Sequence, residues 1–209
     1  MRSVPASTGQ SVQLRDGGTV VIRPIAPDDK GRLVDAFHRM SDESRRQRFL
    51  TPATKLTHED LDYLTEIDHR RHEALVALDP VDGRLVGSAR YVQVPRERDT
   101  AEVAAEVVDE WQRRGVASAL LQALSRRARE NDVNRFRAWV ASDNSVVLDA
   151  LERAGAVRGA REGAELEFNV AVPRDDLGDR LRTALRAAAA GQLRLAERVA
   201  RRLGIWPRA

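Results

Sequence analysis

The 209 residues are 42% hydrophobic and carry 35 basic against 32 acidic side chains, a formal net charge of +3, which fits a single core with an appendage. The pI of about 9.9 reflects arginine, which keeps its charge to very high pH, and carries little argument for a nucleic-acid partner. No cysteine is present, which excludes a disulfide framework, a thiolate zinc site and a cysteine nucleophile. No apolar run approaches the roughly 20 residues that span a bilayer, and Met1 to Gln10 lacks the apolar stretch of a signal peptide. The expectation is a cytoplasmic protein without a membrane partner, with a flexible lead-in over residues 1–11.

Along the chain, the turn residues Asp16-Gly17-Gly18 precede Thr19 to Pro24, a β-branched run expected to be the first strand. Pro27-Asp28-Asp29 opens a helix whose apolar residues Leu33, Val34, Phe37 and Met40 recur at helical spacing. After the basic stretch Ser44 to Phe49, Thr57 followed by Asp60 predicts a capped second helix with Leu61, Leu64 and Ile67 on its apolar face. Glu73 to Leu78 and Arg84 to Val94 flank the turn Asp79 to Gly83 and predict an antiparallel hairpin. Thr100 to Val108 is extended and runs through Gly115 into a helix from Val116 to Glu130. A strand from Phe136 to Ala141, a helix from Ser145 to Arg153, and two short strands meeting across Gly163 follow. The sum over residues 12–172 is a mixed, mostly antiparallel sheet flanked by helices, an α/β (α+β) fold.

From Pro173 the pattern changes. Leu177, Leu181, Leu185 and Ala188, then Leu195, Val199, Leu203 and Trp206, keep helical spacing on either side of Gly191. This tail, residues 173–209, holds nine Arg against four acids, a net of +5, so the first 172 residues carry about −2. An apolar stripe with arginine opposite it predicts an amphipathic packing element that could build a homodimer. A nucleic-acid- or membrane-binding arm is the alternative.

The chemistry centres on Gln112-Arg113-Arg114-Gly115-Val116-Ala117. A helix start offers backbone N–H groups without intrahelical partners at the positive end of the dipole, so an anion belongs there. Glycine lets the backbone approach a pyrophosphate, and Arg113 and Arg114 would add charge-assisted contacts. Upstream, Glu102 and Glu106 point the same way along the strand unless a bulge intervenes. A lysine-like amine with a pKa near 10.4 costs about 4 kcal/mol to neutralise at neutral pH, which makes a nearby base useful. For either glutamate the competing reading is an exposed strand residue.

Strand, glycine turn and helix, followed by Asn144 and by Gly155 eleven residues later, resemble the GNAT superfamily of acetyl-CoA-dependent N-acetyltransferases, in which a (Gln/Arg)-x-x-Gly-x-(Gly/Ala) turn follows the fourth strand. The resemblance covers about Val12 to Val172. Val21-Ile22-Arg23-Pro24-Ile25, Ser41-Asp42-Glu43-Ser44-Arg45, His72 to Ala77 and Val86 to Tyr91 resemble the branch that includes bacterial protein-lysine acetyltransferases.

The resemblance implies acetyl-CoA as co-substrate, no metal, and an amine acceptor, a protein lysine or a small molecule. It implies Glu102 as general base, acting directly or through water, and the backbone of Val107 and Val108 as partner of the pantetheine amides. It also implies cofactor contacts from residues 112–117 and from Asn144, which reads equally as a helix N-cap. Two positions depart from the family. Glu106 stands where an apolar residue is usual, as a second acid near the thioester, an amine anchor, or a side chain turned to solvent. Leu151 stands where many members have a tyrosine that protonates the departing thiolate.

His58, His69 and His72 are spaced eleven and three apart with no ligand set around them, so a surface or channel role is expected rather than a metal. Trp111, Trp139 and Trp206 are expected in core or tail packing. A non-catalytic acetyl-CoA sensor or scaffold is the rival from another class, and the presence of Glu102 weighs against it.

Overall fold

A computed structural model describes residues 9–41, 55–142, 145–153 and 155–172. Eight strands form one sheet in the order β1-β2-β3-β4-β5-β6-β8-β7: β1 Gln10–Gln13, β2 Thr19–Pro24, β3 His72–Leu78, β4 Leu85–Gln93, β5 Thr100–Val107, β6 Arg135–Ala141, β7 Val157–Glu162 and β8 Glu165–Ala171. Among the described residues four α-helices accompany them: α1 Lys30–Arg39, α2 His58–Thr65, α3 Val116–Glu130 and α4 Ser145–Arg153. Every strand pair is antiparallel except β5 with β6. Among the described residues, no helix is long and apolar enough to cross a membrane.

The first strand is β1, not Thr19 to Pro24. Gln10–Gln13 pairs antiparallel with Thr19–Ile22 across the Asp16-Gly17-Gly18 turn. Its sequence QSVQ has one apolar residue, too little for a period-2 signal. The second helix closes at Thr65, short of Ile67. At its start Thr57 Oγ1 accepts from the Asp60 N–H at 3.1 Å, and Asp60 Oδ2 accepts from the Thr57 N–H at 2.7 Å, so aspartate completes the capping box.

The central strands are covered on both faces, which is why β3 and β4 read as nearly unbroken buried runs. Helix α3 crosses β3, β4 and β5 on one face, and α1 lies on β4 on the other. Val116, Leu120, Leu124 and Ala128, at helical spacing along α3, are at most 1% exposed. Gly87 sets how closely α3 approaches, since a Cβ there would meet the Glu106 carbonyl at 2.8 Å and Val116 Cγ1 at 3.2 Å. At the sheet's edge β7 is exposed along its whole length, and its charges Arg158, Arg161 and Glu162 discourage strand addition.

Several charges are buried within this frame. Asp29, 0% exposed, accepts from Arg23 Nη1 and Nη2, each at 2.6 Å, and from the Ala26 N–H at 2.9 Å. Burial, the largest single effect, would raise its pKa, but the Arg23 hydrogen bonds, the Ala26 N–H and the Arg23 and Arg32 charges together outweigh it and hold the carboxyl below its usual range. On the α3 face Glu73, also 0% exposed, receives Arg127 Nε at 2.8 Å and lies 2.7 Å from His69 Nδ1.

Candidate active site

The strand carrying the acids is regular. β4 and β5 pair in unbroken register from Gly87↔Val107 to Gln93↔Ala101, so no bulge turns Glu106 aside and the two glutamates share a face. Glu102 is not an exposed strand residue: it is 3% exposed. Its Oε1 lies 3.4 Å from Trp139 Nε1 on β6. Glu106 is half-buried and takes a hydrogen bond from Ser88 Oγ. Among the described residues it is the one acid in an otherwise apolar cleft lined by α1, α2 and the sheet, where Leu33, Phe37, Met40 and Leu64 also contribute.

The β5–β6 pairing matters most for the site. The parallel ladder covers Thr100↔Arg135, Ala101↔Phe136 and Glu102↔Arg137 only, although β5 runs on to Val107. The two strands therefore part immediately after Glu102. The Val108 N–H donates to the Val86 carbonyl at 3.0 Å, toward β4. By strand alternation Val103, Ala105 and Val107 direct their backbone groups to the opening and Val108 does not. The Val107 carbonyl takes Gln112 Nε2 at 3.3 Å, consistent with that direction.

After β5 a 3-10 turn over Asp109–Trp111 leads to Gln112, and α3 begins behind Gly115 at φ 103. Arg113 also has positive φ, 62. The turn is fastened from several sides: Gln112 Nε2 donates to Asp109 Oδ1 at 2.9 Å, the Ser41 N–H to Asp109 Oδ2 at 2.7 Å, and Arg39 Nη1 to Glu110 Oε1 at 2.6 Å. Its N-cap, Gly115, has no side chain to cap α3. The first intrahelical bond runs from the Ala119 N–H to the Gly115 carbonyl at 3.0 Å, so the N–H groups of residues 115–118 precede the helical ladder. Val116 and Ala117 turn their side chains into the core, 1% and 6% exposed.

The two arginines of the turn are placed differently. Arg113 is exposed. Arg114 forms an ion pair with Asp16, in the β1–β2 turn, and its guanidinium lies 3.9 Å from the Trp111 ring centroid. Arg114 therefore braces the turn against the β1–β2 hairpin, a role that the run of two arginines does not disclose. Asn144 lies outside the described residues, as do Ser44 to Phe49 and the tail from Pro173.

Leu151 is buried at 2% exposure. Of the two tyrosines, Tyr91 donates to the Arg70 carbonyl at 3.0 Å and accepts from Asn131 Nδ2 at 2.9 Å; burial pushes its phenol up to about 12. The histidines have local partners. His69 bonds Glu73 as above, while His72 packs 5.0 Å from the Tyr63 ring and places Nε2 3.3 Å from Arg90 Nη1. Burial, reinforced by the Arg90 charge, drives His72 down to about 3.

The sheet thus opens between its fourth and fifth long strands, with a glycine turn and the start of α3 at the opening. The chain belongs to the acetyltransferase (GNAT) family, which it matches over residues 36–156. It is 35% identical over 146 residues to Acetyltransferase Pat of Mycolicibacterium smegmatis, covering 70% of this chain and 44% of that protein. The chain thus spans less than half the length of that relative. A Pseudomonas aeruginosa acetyltransferase is 32% identical over 138 residues, 65% of this chain and 74% of its own. The crystal structure of the GNAT domain of S. lividans PAT superposes with a TM-score of 0.71 at 34% identity, covering 81% of this chain and 99% of that one.

Proposed function

We propose that this protein is an N-acetyltransferase that moves an acetyl group from acetyl-CoA to an amine by direct attack in a ternary complex. The observation that carries the reading is the position of Glu102, a buried carboxylate at the point where β5 and β6 part. The residues fit the co-substrate. The N–H groups of residues 115–118 and exposed Arg113 suit the pyrophosphate, with Gly115 bare of side chain. Val107, with Ala105, offers backbone partners to the pantetheine amides.

In the reaction the amine lone pair forms a C–N bond to the thioester carbonyl carbon, the C–S bond breaks, and CoA departs as the thiolate. Glu102 accepts the proton the amine must lose, directly or through water. With Leu151 in place of a tyrosine, the thiolate takes its proton from solvent. Glu106 and the apolar cleft suit an amine carried on an aliphatic stem, a protein lysine or a small molecule, with Glu106 anchoring the cation. We place the protein in the cytoplasm, and the tail of residues 173–209 is proposed as a packing element that builds a homodimer rather than a nucleic-acid or membrane arm.

A thiol-release assay of acetyl-CoA turnover over acetylatable proteins and small amines tests the reading. Turnover with an aliphatic amine acceptor, abolished by Gly115→Glu together with acetyl-CoA binding, is expected. Acetyl-CoA binding with no turnover on any amine would instead indicate the sensor.

A further inference from the structure

We infer that Trp139 is a positioning residue for the general base: its indole N–H holds Oε1 of Glu102 and fixes that side chain at the mouth of the β5–β6 opening. This rests on the reading of Glu102 as the base.

The indole nitrogen is a donor only, and a buried donor needs an acceptor. Trp139 is 2% exposed, and it finds its acceptor not on its own strand but across the opening, 3.4 Å away at Glu102. The placement is specific. Backbone pairing between β5 and β6 ends at Glu102↔Arg137, and Trp139 lies two residues further along β6, on the same face as Arg137. A side-chain bond thus continues the strand-to-strand connection one step beyond the last backbone pair.

Trp139 is itself anchored in the sheet: β6 pairs with β8 from Arg135↔Ala171 to Ala141↔Glu165, with Trp139 opposite Glu167. The bond therefore references Glu102 to the β6–β8 ladder. Other charged groups share this face: Arg90 and Glu106 on β4 and β5, His72 on β3, Arg137 on β6, and Glu165 and Glu167 on β8. Arg137 is engaged by Glu97 at 2.7 Å and Glu167 at 3.4 Å. A donated N–H favours the ionised form of a desolvated carboxylate, the form a base requires.

Trp139→Phe keeps a ring and deletes the N–H. The expected result is a fall in kcat of about tenfold near neutral pH and an acid limb of the rate profile moved to higher pH by about half a unit to one unit, with KM for acetyl-CoA unchanged. A uniform loss at all pH values, with the acid limb in place, would overturn the inference by showing a packing role only. If the variant does not fold, the wild-type protein still decides. With ¹⁵N-labelled tryptophan, one indole N–H resonance should move with pH in the wild type and stay still in Glu102→Gln. No indole responding to Glu102 would equally overturn it. Glu102→Gln in the rate assay separates the two claims, since a wild-type profile there removes the base reading itself. A slow Glu102→Gln beside an unmoved Trp139→Phe profile removes only the positioning role.

Discussion

Asp29 and Arg23 form a two-pronged pair, 2.6 Å at each contact, with the aspartate side chain fully enclosed at the foot of α1. The same carboxylate caps the turn by accepting the Ala26 N–H, so one group joins β2 to the helix that roofs the cleft holding Glu106.

Asp29→Asn leaves Arg23 without its counter-charge in a part-buried site and should destabilise the fold by about 3 kcal/mol. The wild-type pKa is depressed from its model-compound value of 3.8. Its contribution is therefore fully present above that pH and lost as pH falls through the lower folded value. Urea unfolding at neutral pH and below pH 3.8 should show the gap between variant and wild type closing in acid.

His72 behaves in the opposite chemical sense with the same pH direction. It is neutral in the fold down to about 3 against 6.5 unfolded, so the unfolded chain takes up a proton first as pH falls, and stability drops from pH 6.5 downward. Relative to His72→Gln, the wild type should lose about 2 kcal/mol between pH 7 and pH 5. Parallel urea titrations at the two pH values measure it.

Glu102→Gln removes the proposed proton acceptor while keeping the shape. A fall of about 10²–10⁴ in kcat at neutral pH is expected, with partial recovery toward alkaline pH as the acceptor amine loses its proton unaided. A rate profile from pH 6 to 10 with an aliphatic amine supplies the check.

Gly115→Ala places a side chain on a residue at φ 103, where L residues are strained by about 1–3 kcal/mol. Acetyl-CoA should bind roughly tenfold more weakly or worse, and the melting temperature should fall by several degrees. Calorimetric titration and a thermal melt report the two effects.

The sequence discloses those parts whose physics is local. The capping box at Thr57, the Asp79–Gly83 turn and the glycine before α3 each announce an element through neighbours a few residues away. β1 escapes because four residues with a single valine carry no period, and its pairing depends on β2 after the fact. The site divides in the same way. Glu102 and the glycine turn are legible as a strand acid and a helix start, while the Trp139–Glu102 bond, the Arg114–Asp16 pair and the burial of His72 join residues far apart in the chain. Such contacts arise only once the sheet is assembled, so no spacing rule reveals them.

The brevity of the β5–β6 ladder has a mechanical consequence. The strands before it and those after it meet along a seam of three residue pairs, whereas β6 and β8 are laced through seven. On the proposed function, a pantetheine arm lying against Val103, Ala105 and Val107 would act as a suture, supplying amide hydrogen bonds that β6 does not provide there. Occupancy would then stiffen the junction between the two halves of the sheet and order the floor beneath the acceptor before any amine arrives.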